Sequence, residues 1–280
     1  MPVALLAAGS IAPADAAHPL LTEDTGTQGL GNAQLELMVD SIRDRPPGAS
    51  VREQVTTAVL SYGVRDDVDL QLGLPHVRQH THDAAGRRAS EGALDTTADI
   101  KWRFFERETL SLGLKTGVTL PTGDKDRGFG TGRVTWGALL IGSYEPGPLG
   151  FHSHFGYRRN NNALDQRTSL WHLSGALTYR ATGNLKLVAD LSADTDPDRT
   201  RGGSLRYSIL GLIYSPTPAL DLDAGLKHGH GMGLRIAPCS SARPCAGRLA
   251  CGTGKLPVAG RKNFFTGEEK KMIKHAAALT

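Results

Sequence analysis

From about residue 33 to residue 227 the chain swaps apolar for polar side chains one residue at a time. In an extended strand successive side chains point to opposite faces, so this period of two marks strands with one apolar and one polar face. Leu94, Thr96, Ala98, Ile100, Trp102 and Phe104 fall on one face, with Asp95, Thr97, Asp99, Lys101 and Arg103 on the other. The next segment sets Leu110, Leu112, Leu114, Thr116, Val118 and Leu120 against Ser111, Gly113, Lys115, Gly117 and Thr119. The same phase can be followed through Leu35–Val39, Val68–Leu74, Val134–Tyr144, Phe151–Tyr157, Trp171–Tyr179, Leu185–Leu191 and Leu222–Leu226. A less regular strand covers Val51–Tyr62, and Leu205, Tyr207, Ile209 and Ile213 are read as one more apolar face. About eleven strands result, most near the ~9–11 residues that a tilted barrel strand needs.

The links between these segments sort by length. Gly63–Asp67, Phe105–Thr109, Glu145–Gly150, Ala181–Asn184 and Ser215–Ala219 are short, while Arg43–Ser50, Pro75–Gly92, Pro121–Gly132, Arg159–Asp165 and Ala193–Gly203 are longer and polar. Short and long alternate, as in outer-membrane barrels with tight periplasmic turns and longer external loops. Tyr62, Trp102, Phe104, Tyr144, Phe151, Tyr179 and Tyr214 end the apolar faces, most beside the short turns, where an interfacial girdle belongs. The expected fold is an all-β, antiparallel, up-and-down transmembrane barrel. In lipid every backbone donor and acceptor must be paired, so the sheet has to close, and closure in bacterial barrels favours an even strand number. With eleven strands read, a twelfth is missing, and its place is after Lys227.

Composition fits this reading. No stretch approaches the ~18 uninterrupted apolar residues of a spanning helix, but a barrel strand shows only alternate residues to lipid. The net charge of +4 comes mostly from residues beyond Lys227, and basic residues elsewhere are scattered singly, so the chain lacks the basic cluster of a nucleic-acid binder. All three cysteines (Cys239, Cys245, Cys251) lie in that same region, at a spacing that matches no zinc pattern. Residues 1–16 read as a secretory signal without its basic start, with Ala14-Asp15-Ala16 as the cleavage site. This implies Sec export to the outer membrane. Residues 17–32 form a periplasmic lead-in or a small plug, residues 33–227 the barrel, and residues 228–280 a patternless, disordered tail that replaces the last strand. Glu268–Leu279 within it has a short helical pattern.

The polar face should line the lumen. Its candidates are Asp95, Asp99, Lys101, Arg103, Lys115, Arg133, His152, His154, Arg158, Arg180, Asp190 and Arg206, joined by Asp69, His172, Lys186, Asp221, Asp223 and Lys227. Their signs are mixed, which points to ion pairs across strands, Asp99 with Lys115 among them. Asp124, Asp126 and Gly128 lack the bidentate Glu of a calcium loop and read as a capped turn. His76, His80 and His82 read as solvated loop residues. An enzyme would need a Ser–His or Asp–His pair at the outer rim, and no Gly-x-Ser-x-Gly is present. No catalytic residue, metal or cofactor is assigned.

Two segments carry a resemblance: Thr22–Asn32 (TEDTGTQGLGN), and Pro121–Arg133 (PTGDKDRGFGTGR), with Pro121, Thr122, Gly123, Asp124, Arg127 and Gly130 as its external-loop motif. Set before and between alternating strands, they resemble the outer-membrane transporter family of the meta-pathway of phenol degradation, over residues 18–227. The resemblance implies a barrel that passes small molecules, hydrophobic or aromatic ones among them. A non-conducting structural barrel and a rim hydrolase are the alternatives. The partners expected are outer-membrane lipids and a small-molecule solute, with no nucleic acid; oligomeric state is not legible.

Overall fold

The computed structural model describes residues 18–44, 48–200, 203–230 and 236–242. The signal segment, the second and third cysteines and the helical pattern near the C-terminus lie outside the described residues. Thirteen strands pair in one antiparallel sheet: β1 (Ala33–Asp44), β2 (Ala49–Arg65), β3 (Val68–Asp83), β4 (Gly86–Ala93), β5 (Thr96–Arg107), β6 (Leu110–Leu120), β7 (Thr135–Tyr144), β8 (Leu149–Arg159), β9 (Ser169–Arg180), β10 (Leu185–Thr195), β11 (Ser204–Thr217), β12 (Leu220–His230) and β13 (Ile236–Ala242). Each strand pairs with its sequence neighbour except at two places. β3 pairs with β5 through Val68–Gly73 and with β4 further out, so β4 and β5 act as one long strand bent at Leu94–Asp95. At the other, β13 lies between β12 and β1 and closes the ring.

This closure corrects the expectation of a missing strand. Ile236–Ala242 pairs with β12 at seven positions and with β1 from Leu37 to Asp40. The segment has no alternation to announce it. A closing strand is held by backbone hydrogen bonds from both sides, and those are indifferent to side-chain period. The barrel therefore runs past Lys227, to His230 in β12 and on into β13.

The wall is inside out relative to a soluble protein. Leu70, Leu72, Leu74, Leu140, Phe155, Leu173, Leu210 and Leu226 are exposed on the outer face, while Asp69, Lys101, Ser143, His154 and Asp190 are buried on the inner one. Lipid is the solvent the outer face is built for. The aromatic residues expected beside the short turns all stand exposed on it, Tyr144 stacked on Phe151. A second aromatic group stands at the opposite end, where Tyr157 packs against Trp136 and Trp171. Trp136 and Tyr144 bracket eight steps of β7, about 27 Å of strand at ~3.4 Å per residue, which when tilted fits the ~25 Å apolar band of such barrels.

Three local expectations change. Residues Pro75–Asp83 continue β3, so His76, His80 and His82 sit on a strand, pointing outward, and not in a loop. The link between β1 and β2 is as short as the inner turns, because both strands extend past the band. In β11 the phase is reversed: Tyr207, Ile209 and Ile213 are buried inside, whereas Leu210, Leu212 and Tyr214 face out. Both faces of that strand are apolar, so period alone could not choose between them.

Candidate functional site

The inner wall is organised around residues 18–32, which cross the lumen as a strap before the chain enters β1. His18 Nδ1 lies 2.5 Å from Asp223 Oδ1 on β12. Pro19 then passes over Gly211 and Gly225; a Cβ at Gly211 would stand 2.7 Å from its ring, and one at Gly225 2.9 Å. Leu20 packs on Val188 and Ile213, which explains why β11 carries apolar residues inward. Leu21 and Thr22 each donate a backbone N–H to Asp190 Oδ2, at 2.8 and 2.7 Å. Thr22 Oγ1 donates to Ser174 Oγ at 2.6 Å. Glu23 N–H donates to His154 Nδ1 at 3.3 Å.

The middle of the strap is held by charge. Glu23 Oε1 is 2.5 Å from Lys115 Nζ and its Oε2 is 3.7 Å from Lys101 Nζ, while Asp24 Oδ1 is 3.5 Å from Lys101 Nζ. Burial alone would raise the Glu23 carboxyl pKa, but Lys115 and Lys101 outweigh it and hold it at about 2. Thr25 N–H donates to Ser143 Oγ, and its hydroxyl lies 2.5 Å from Ser111 Oγ. Gln28 N–H reaches both oxygens of Asp69 at 3.0 Å. At the exit Gly63 has no room for a side chain, since a Cβ would fall 1.8 Å from Gly29 O. In all, the strap touches β1, β2, β3 and β5 to β12.

The anticipated lumen residues divide accordingly. Lys101, Lys115, His154 and Asp190 bind the strap. Lys115 hydrogen-bonds Glu23 and attracts Asp99 from a diagonal position, because the residue directly facing Asp99 on the next strand is Gly117. A Cβ at Gly117 would stand 2.0 Å from the Asp99 carboxylate, so the glycine makes room for it. His154 Nε2 meets His172 Nε2, and His172 Nδ1 lies 2.5 Å from Asp194. With Nδ1 of His154 accepting from Glu23, its proton sits on Nε2 and is donated to His172, whose own Nδ1–H serves Asp194. His152 Nδ1 is 2.9 Å from Ser143 Oγ. That Ser–His pair is buried under the strap and its far nitrogen faces Thr178, so the pair has no carboxylate behind it. Ser174, on the same face as His172, bonds the strap.

Arg158 points inward on β8 and lines the cavity. Arg103 sits at the short-turn rim, bridged to Glu106 at 3.2 Å. Arg180 is exposed at the same rim, and Arg133 is exposed in the loop before β7. Arg206 is a correction: it shares the outward face of β11 with Leu210 and Leu212, a consequence of the reversed phase.

Asp95 lines no open lumen; it anchors the external loop. Its carboxylate accepts from Gly123 N at 3.0 Å and from Thr131 N and Oγ1, both at 2.7 Å. Thr122 Oγ1 accepts from Thr96 N, just after Pro121 ends β6. Asp124 Oδ1 caps the N–H groups of Asp126 and Arg127, the capped turn expected. These bonds fold the loop inward and bury Phe129 against Val55, Val77 and Leu94. Arg127 lies over the Phe129 ring at 4.8 Å and donates to Glu91 O. Gly123 and Gly130 pass too close to neighbouring backbone and to Asp95 for any side chain. Among the described residues no group of His, Cys, Asp or Glu is arranged to hold a metal ion.

The strap borders a cavity of about 480 Å³. Met38, Ile42, Leu139, Leu170 and Ile209 give its wall an apolar part; Asp99, Arg158, Asp194 and Lys227 give it a charged part. Ser111, Ser143, Ser174 and Asp223, which hold the strap, carried no sequence signal beyond lying on the polar face.

The fold is shared with a solved structure. The COG4313 outer membrane channel from Pseudomonas putida F1 is 12% identical, with 79% of this chain and 98% of that one covered and a TM-score of 0.61. The translocator domain of the autotransporter NalP from Neisseria meningitidis overlaps less, at 11% identity, 77% and 88% coverage and a TM-score of 0.49. No curated protein matches the sequence. A family model described as "Putative MetA-pathway of phenol degradation" matches residues 17–233.

Proposed function

The chain belongs to this MetA-pathway phenol-degradation family, and from that membership we propose that it is a passive outer-membrane channel for small molecules, aromatic ones among them, exported through the Sec pathway and held nearly shut by its own strap. The cavity beside the strap carries this reading. Its ~480 Å³ falls within the ~300–1,000 Å³ of small-molecule sites, and its wall joins an apolar patch to a few charged groups. The fold shared with an outer membrane channel supports the same reading. The strap's many bonds favour an occluded resting state.

The test uses planar bilayers and liposomes, with the full chain and a variant lacking residues 18–32. Small, brief conductance steps and slow phenol or benzoate uptake are expected from the full chain, and several-fold larger values from the variant. A barrel that shows the heat-modifiable gel shift but passes neither ions nor aromatic solutes, with or without the strap, would establish a sealed structural barrel instead.

A further inference from the structure

β2 and β3 run to 17 and 16 residues, against 10 to 12 for β5 to β10. With β4 and the end of β1 they raise a small sheet beyond the apolar band, and its outward face is basic. The register sets this out in rows. Leu37, Ala58 and Leu74 form the last apolar row. Val39, Thr56 and His76 follow, then Ser41, Gln54, Arg78 and Glu91. Arg43, Arg52 and His80 come next, and Ser50, His82 and Arg87 stand above them. All these upper side chains are exposed except Val39 and Ser41.

Among the described residues one carboxylate serves this face, Glu91, and it is taken by Arg78 at 2.9 Å. The nearby acids are engaged elsewhere: Glu53 is buried on the inner face against Gln79, and Asp83 binds Arg88. Among the described residues no carboxylate pairs with Arg43, Arg52 or Arg87. Arg43 faces Arg52 directly across β1 and β2. Like charges opposite each other destabilise a sheet unless an anion lies between them. Arginine is the side chain best suited to hold phosphate oxygens in pairs.

Height narrows the anion. The Arg43–Arg52 row lies three outward steps above Leu37–Ala58, roughly 20 Å along strands that rise ~3.3 Å per residue and about 15 Å above the hydrocarbon once tilted ~40°. Phospholipid headgroups add only ~5–8 Å to each side of the hydrocarbon. An anion at the arginines' level belongs to a larger headgroup.

We propose that the outward face of β1–β4, through Arg43, Arg52 and Arg87, binds the phosphates of a phosphorylated glycolipid of the lipopolysaccharide class in the outer leaflet. This rests on the outer-membrane reading but not on conduction. The experiment compares the full chain with the triple variant R43Q/R52Q/R87Q in detergent and in phosphatidylcholine vesicles, with and without lipopolysaccharide. Lipopolysaccharide should co-purify with the parent and raise the midpoint of its heat-modifiable transition, and the variant should bind at least tenfold more weakly while still forming the barrel. Equal retention by parent and variant overturns the assignment. Equal protection by phosphatidylglycerol vesicles, by dephosphorylated lipopolysaccharide or by inorganic phosphate overturns the glycolipid as ligand. Conductance, measured separately, tells failure of this site from failure of the channel reading: the triple variant should conduct like the parent.

Discussion

Glu23 ties the strap to Lys115 and Lys101 across the lumen. Its carboxyl is held at about 2 in the folded protein against 4.5 when free. A depressed carboxylate stabilises the bound strap above the free value and loses that contribution as pH falls through the folded one. The strap should therefore stay anchored at neutral pH and loosen between about pH 4.5 and 2, seen as a rise in conductance across that window. The shift corresponds to roughly 3 kcal/mol at ~1.4 kcal/mol per unit. Glu23→Gln should open the channel several-fold at pH 7, and a conductance unchanged by it would show that the strap does not limit flow. Asp95 has the parallel role at the outer mouth. Asp95→Ala removes the acceptor of three hydrogen bonds, each about 1.5–3 kcal/mol when made to a charged group. Trypsin should then cut the freed loop at Lys125 and Arg127 much faster than in the parent.

At the scale of elements, β11 shows what the strap does to a strand. Its inner residues Ile209 and Ile213 serve the interior while Leu210 and Leu212 serve lipid. Leu210 is 69% exposed on the outer face. Leu210→Arg should cost about 2–4 kcal/mol near the bilayer midplane, measured by urea unfolding in vesicles. Arg206→Leu, on the same face nearer the rim, should cost little. A reversed result would return β11 to the phase its sequence suggests. β4 and β5 give a second case, where one strand bends at Leu94–Asp95 so that the carboxylate can turn in and hold the loop.

For the whole molecule, closure is the controlling event. Without β13 the edges of β1 and β12 would face lipid with unpaired backbone groups, each costing several kcal/mol. A chain ending after His230 should lose the heat-modifiable band and aggregate, while the full chain shows it. The barrel is then a ring with two inward folds of its own sequence, the strap low, beside the cavity, and the Pro121–Arg133 loop high.

The period-two pattern determined the strand class, most strand positions, the lipid face and the inner aromatic girdle, because all of these follow from which way neighbouring side chains point along one strand. It marked Lys101, Lys115, His154 and Asp190 as inward residues for the same reason. Tertiary structure decided the rest. Whether Arg206 or Tyr207 faces in depended on Pro19 and Leu20, nearly two hundred residues earlier in the chain. Lys115 hydrogen-bonds Glu23 first and holds the cross-strand Asp99 only in electrostatic reach, since a charge on the inner wall pairs with whatever else occupies the lumen. The closing strand was invisible because it is specified by the two edges it joins, and hydrogen bonds between backbones leave no mark in the sequence that makes them.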